Sequence, residues 1–247
     1  MKTLITLATS SLGRKYLMAI TGAGLFAFII AHMLGNWLIF LGPDAINAYA
    51  LKLKSMPELL WTARIGLLAL AGIHVACAIS LIIDNHRAKS TKYAVGKPVN
   101  TNWASRSMAL SGLVVFAFIF FHIAHFTTQN VDLSYREMYA SLDGKKVHDV
   151  YNMVVKGFSH PLVAGFYILA VGLLGAHLSH GVQSMFRSLG LSSPRIFPLL
   201  KKAALAFGIL IGVGMAAVPL SVLSGIVKAR PDIKYQDEKF VTLHPEK

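Results

Sequence analysis

Residues 107–127 read SMALSGLVVFAFIFFHIAHFT, an apolar run without a single Asp, Glu, Lys or Arg. A bilayer core about 30 Å thick is crossed by about 20 apolar residues in helical form, so this stretch has the length and character of a membrane span. Its ionisable groups are two histidines near the end, His122 and His125. Four more stretches of the same kind flank it: Leu17–Leu41, Leu59–Ile83, His160–Ser184 and Ala203–Val227. Arg64 is the one Asp, Glu, Lys or Arg inside any of the five. The expected architecture is an all-α integral membrane bundle of five transmembrane helices, forming one domain over residues 1–247.

Composition agrees. Of the 247 residues, 55% are hydrophobic and 14% charged, whereas soluble globular chains carry about 25% charged residues. The formal charge of +13 lies in short runs beside the apolar stretches, not in aromatic-basic alternation, so no nucleic-acid partner is expected. Lys2, Arg14 and Lys15 precede the first span; Arg87, Lys89, Lys92, Lys97 and Arg106 lie between the second and third; Arg187, Arg195, Lys201 and Lys202 lie between the fourth and fifth. The positive-inside rule then places the N-terminus and these two loops in the cytoplasm, and five crossings put the C-terminus outside. Cys77 is the single cysteine, which excludes an intrachain disulfide and a thiolate metal cluster.

Histidines carry the chemistry. His32, His74, His122, His125, His177 and His180 fall within four of the spans. An ionisable residue in hydrocarbon is costly and is a functional hypothesis by default. At 1.5 Å per residue, His32 and His122 lie about 5–7 Å to the outer side of the midplane, and His74 and His177 about 5–7 Å to the inner side. The histidines thus form two layers, each fed by two spans. Two imidazoles facing each other suit the axial positions of a haem iron, whereas zinc takes three or four ligands. A histidine-lined path for protons or metal ions is the alternative. Within the close pairs, His122 and His125 share a helix face, as do His177 and His180; depth favours His122 and, weakly, His177.

Ala31-His32-Met33-Leu34-Gly35-Asn36, followed by Leu41-Gly42-Pro43-Asp44-Ala45-Ile46-Asn47-Ala48-Tyr49, resembles a known family. The likeness continues through Arg64 and His74, Phe121-His122-Ile123-Ala124-His125-Phe126, and His177-Leu178-Ser179-His180-Gly181. The family is the single-chain, five-helix, two-haem cytochrome b membrane subunit of succinate dehydrogenase and fumarate reductase (complex II). The resemblance implies two haems b: His32 and His122 as axial iron ligands of the outer one, and His74 and His180 of the inner one. It implies a flavoprotein subunit and an iron–sulfur subunit docked on the cytoplasmic face, with electrons exchanged with a membrane quinone, expected as menaquinone. The membrane is then a bacterial cytoplasmic membrane, and its lipid a further partner. Arg64, Asn47, Tyr49, His125 and His177 are the candidates for quinone or haem-propionate contacts. No residue of this chain is expected to act on the dicarboxylate. Some fumarate reductases of this type carry a glutamate two residues before the helix-four ligand, a position occupied here by Leu178. A cytochrome b of another quinone-linked dehydrogenase is the alternative within redox chemistry.

Overall fold

A computed structural model of the chain describes residues 10–87 and 108–231, together with the backbone of Ile233–Gln236 and Lys239–Thr242. Lys2, Lys89, Lys92, Lys97, Arg106 and Ser107 lie outside the described residues, so the basic loop between the second and third spans is largely beyond it. The chain is an all-α integral membrane bundle. Among the described residues, five helical stretches are long and apolar enough to cross a membrane: Ser11–Leu41, which begins with α1 (Ser11–Trp37); α3 (Pro57–Arg87); Met108–Thr127, which begins with α4 (Met108–His122); α6 (Pro161–Ser188); and α7 (Phe197–Leu223). Two shorter helices, α2 (Pro43–Lys54) and α5 (Val150–Ser159), lie between them.

The helices start and stop where capping chemistry directs, which shifts their ends from the apolar boundaries. Ser10 accepts from the Gly13 N–H at 3.0 Å, so α1 begins ahead of its basic residues instead of at Leu17. Pro43, Pro57 and Pro161 open α2, α3 and α6, where a missing N–H costs nothing. Gly190 at φ +73° and Gly225 at φ +71° supply the left-handed turns that end α6 and α7. The Leu191 and Ile226 amides close these turns on Phe186 and Ser221 carbonyls at 2.9 Å. Helix α7 runs through Pro219 without interruption. At its end α4 widens into a π turn over Ile123–Thr127, in which the Thr128 amide reaches the Ile123 carbonyl at 2.8 Å.

The stretch between α4 and α6 is folded. After a short 3-10 turn (Leu133–Glu137), β1 (Tyr139–Leu142) pairs antiparallel with β2 (Lys145–His148). The turn is Asp143-Gly144, both at positive φ, the chemistry a two-residue hairpin favours. Asp149 then caps α5, accepting from the Asn152 amide at 3.0 Å. A second hairpin pairs β3 (Ile233–Gln236) with β4 (Lys239–Thr242).

Backbone contacts divide the chain into two compact units. The first comprises Met1–Ile30, Trp61–Leu113 and Leu173–Gly212; the second comprises Ala31–Leu60, Val114–Gly172 and Val213–Lys247. In the first, α6 and α7 meet at glycines: a Cβ on Gly175 would lie 2.5 Å from the Gly208 carbonyl oxygen. In the second, α5 is buried along most of its length, and Ile39, Phe118, Tyr135, Phe158 and Tyr167 join its core.

Candidate functional site

The first unit contains His74, His177 and His180. His74 directs Nδ1 at the Met18 carbonyl, 3.1 Å away, and at Thr21 Oγ1, 3.3 Å away. The Thr21 hydroxyl gives its own proton to the Leu17 carbonyl at 2.7 Å. Both neighbours therefore accept, Nδ1 must carry the proton, and the lone pair of the ring is left on Nε2. His177 repeats the arrangement on α6. Its Nδ1 lies 3.2 Å from Ser111 Oγ, and Ser111 donates to the Met108 carbonyl at 3.2 Å. Glycine makes room for both rings: a Cβ on Gly22 would lie 3.2 Å from His74 Cε1, and one on Gly112 would lie 3.4 Å from His177 Cε1. His180 differs, because its Nδ1 is buried with no partner among the described residues.

The second unit contains His32, His122 and His125. The rings of His32 and His122 face each other edge to face, their centroids 5.6 Å apart at 84°. His122 Nδ1 lies 3.4 Å from the Tyr167 hydroxyl. His125, on the π turn, is 2% exposed, and hydroxyls meet both of its nitrogens: Tyr167 at Nδ1 (3.0 Å) and Tyr135 at Nε2 (3.1 Å). With neither nitrogen free, His125 is unsuited to hold a metal in this arrangement. Phe118, Phe121, Phe126, Phe158 and Phe166 form a ring-on-ring jacket about this group. Where the chain leaves the span, burial and then the Asp132 charge push the Tyr135 phenol up to about 12. Hydrogen bonds from Ser134 and Lys156 hold the Asp132 carboxyl below the usual carboxylate range.

Do these residues fit a haem? Metal-binding imidazole normally holds its other N–H against an acceptor, which fixes the tautomer and aims the lone pair. His74 and His177 already have that form, and His122 has a hydroxyl at the same nitrogen. Among the described residues no group of three or more His, Cys, Asp or Glu converges as zinc requires. Pairs of imidazoles are the donor set of an axially ligated haem. In the first unit, Arg14 Nε is a buried donor without a hydrogen-bond partner among the described residues, although Arg14 also pairs with Asp84 at 2.5 Å and with Ser80. Unsatisfied buried donors of this kind suit a bound acidic group.

A family model described as succinate dehydrogenase/fumarate reductase transmembrane subunit matches residues 83–217, more than half of the chain. The chain belongs to this family. It is thus a membrane subunit of a succinate dehydrogenase or fumarate reductase complex. The match covers His122, His125, His177 and His180 and lies beyond His32 and His74. No curated protein and no solved structure matches the chain.

The remaining sequence candidates fall in different settings. Asn47 is 1% exposed and clamps α2 to α5: its Nδ2 donates to Asp149 Oδ1 and its Oδ1 accepts the Tyr151 amide, both at 3.1 Å. Tyr49 packs its ring against Gly35, where a Cβ would meet it at 2.9 Å. Arg64 places its guanidinium 5.1 Å from the centre of the Trp61 ring. Sequence reasoning missed Tyr167, Ser111 and Thr21. A tyrosine within a span is a polar group needing a partner, which was a signal for Tyr167; Ser111 and Thr21 are too ordinary in spans to stand out.

Proposed function

We propose that this complex II transmembrane subunit binds two haems b, which when bound supply one-electron transfer between the iron–sulfur subunit of the complex and membrane quinone. The observation that carries the reading is the anchoring of His74 and His177 through Nδ1, which presents Nε2 as a ligand in each case. His32 and His122 hold the second-unit haem, their rings facing at 5.6 Å. His74 supplies one ligand of the first-unit haem. For the other, the family resemblance points to His180, and a second reading favours His177, whose Nδ1 is anchored at Ser111.

The protein's own part is to aim the imidazoles, keep them neutral in an apolar interior and exclude water. Hydrogen bonds within each unit orient the His74, His177 and His122 rings. Arg14 Nε, a buried donor without a hydrogen-bond partner among the described residues, is suited to the acidic edge of the first-unit haem. The flavoprotein and iron–sulfur subunits dock on the face bearing the basic loops, with the N-terminus cytoplasmic and the C-terminus outside, in a bacterial cytoplasmic membrane. Arg64 and Tyr49 remain the candidates to meet the quinone, which we take to be menaquinone. Asn47, with its polar atoms engaged by Asp149 and Tyr151, serves that role less well.

The test is spectroscopic and uses the purified complex. Succinate should reduce a b-type absorbance in this subunit, and added menaquinone analogue should reoxidise it. A complex that oxidises succinate with no haem absorbance responding would overturn the proposal.

A further inference from the structure

The group Tyr135–His125–Tyr167–His122 is continuous, with successive separations of 3.1, 3.0 and 3.4 Å. It lies wholly within the second unit. Each tyrosine hydroxyl has one proton to give, and each neutral imidazole has one N–H and one bare nitrogen. The direction of the whole chain is therefore decided by any one member. An imidazole holding a metal through Nε2 keeps its proton on Nδ1 and can only donate there. His122 in that state donates to the Tyr167 oxygen. Tyr167 must then turn its own proton toward His125 Nδ1. His125 must in turn carry its proton on Nε2 and donate it to the Tyr135 oxygen.

We propose that Tyr167, His125 and Tyr135 are positioning residues for His122, forming a one-way hydrogen-bond chain that fixes its tautomer and ring orientation as a ligand. The inference rests on the reading of His122 as a haem ligand and assigns His125 a role separate from ligation and from the quinone. Two features support it. His125 sits on the π turn, a local widening of α4 without which its two nitrogens would be aimed differently along the helix. The aromatic jacket holds three of the four members nearly dry: His125, Tyr135 and Tyr167 are 2%, 3% and 5% exposed. Hydrogen bonds in such surroundings are strong and their loss is not made good by water.

An outer-sphere acceptor at the ligand's N–H makes imidazole a stronger donor, and losing it typically lowers metal affinity by about 10–100-fold. The experiment uses the full chain in detergent, with His32→Ala identifying which haem signal belongs to the second unit. Tyr167→Phe keeps the ring and its packing and removes the acceptor. It should lower affinity for that haem about 10–100-fold, raise its midpoint potential and leave the first-unit haem unchanged. An unchanged second-unit potential and unchanged low-spin resonance values in Tyr167→Phe would overturn the inference. A second measurement avoids substitution altogether. Nitrogen-15 resonances of His125 in the reduced, diamagnetic protein should show a protonated Nε2 and a bare Nδ1. The opposite tautomer would overturn the directed chain even with both haems present. A wild-type chain holding no haem would instead overturn the parent reading, and the inference with it.

Discussion

Replacing Gly175 with alanine probes the glycine crossing of α6 and α7 in the first unit. The new methyl would sit 2.5 Å from the Gly208 carbonyl oxygen and 3.4 Å from both the Gly208 carbonyl carbon and the Gly212 Cα. Ordinary contact begins at 3.4 Å, so α6 and α7 must move apart by about 0.9 Å at this point. The obstacle is backbone, and no rotamer change can relieve it. Overpacking of this kind costs about 1–3 kcal/mol, or roughly a 5- to 150-fold shift in the folding equilibrium. Without a hydrophobic drive between helices in lipid, close packing at small residues is a main source of cohesion. The control is Gly172→Ala on the same helix, where a Cβ meets nothing within 4 Å and better helix propensity should make the change neutral or stabilising by up to about 1 kcal/mol. The assay is reversible unfolding in mixed micelles, followed by far-ultraviolet circular dichroism. If Gly175→Ala unfolds at the same denaturant fraction as wild type, the glycine crossing does not hold these helices together and the packing argument fails.

Three further expectations concern the histidines and the folded loop. His177→Ala should lose the first-unit haem and keep the second, with His180→Ala milder; the opposite ranking in haem content would return the ligand role to His180. Asn47→Ala leaves the buried Tyr151 amide without its acceptor and should destabilise the chain by about 1–3 kcal/mol; an unshifted unfolding curve would show that water replaces the clamp. Burial, followed by the Lys54 charge, lowers the pKa of His148, and Gln129 Nε2 donates to its Nε2 at 2.9 Å. A folded-state pKa below the unfolded value means that protons bind the unfolded form preferentially, so the hairpin loses stability as pH falls from about 6.5 toward the folded pKa. Amide exchange at Tyr139–His148 should accelerate relative to other amides between pH 7 and pH 5, after correction for intrinsic rates; flat protection would show that His148 does not couple to the hairpin.

The five spans and the six histidines within them were legible because each depends on local composition: a run of apolar residues needs no tertiary partner to declare itself, and an imidazole in such a run is conspicuous. Helix ends were less legible, since Ser10, Pro57 and Gly190 act through backbone geometry that hydropathy does not register. The stretch between α4 and α6 lacks the uninterrupted apolar run of a span, yet Asp143-Gly144 and the Asp149 cap fold it into a hairpin and α5. The Asp-Gly pair and the carboxylate ahead of a helix are turn and cap signals readable in the sequence. The different settings of His177 and His180 were beyond the sequence, because residues three apart share a face and Ser111, the neighbour of His177, arrives from another helix. The engagement of both His125 nitrogens was hidden for the same reason, as Tyr167 is 42 residues away in the chain and Tyr135 lies in the loop.

The most direct test of the central claim is a pyridine haemochrome assay on the detergent-purified chain from a haem-replete host, paired with its reduced-minus-oxidised spectrum. The account predicts two b-type haems per chain, both low-spin when oxidised, one lost with His32→Ala and the other with His74→Ala. A well-folded chain without haem, or a single haem lost equally in both variants, would contradict it.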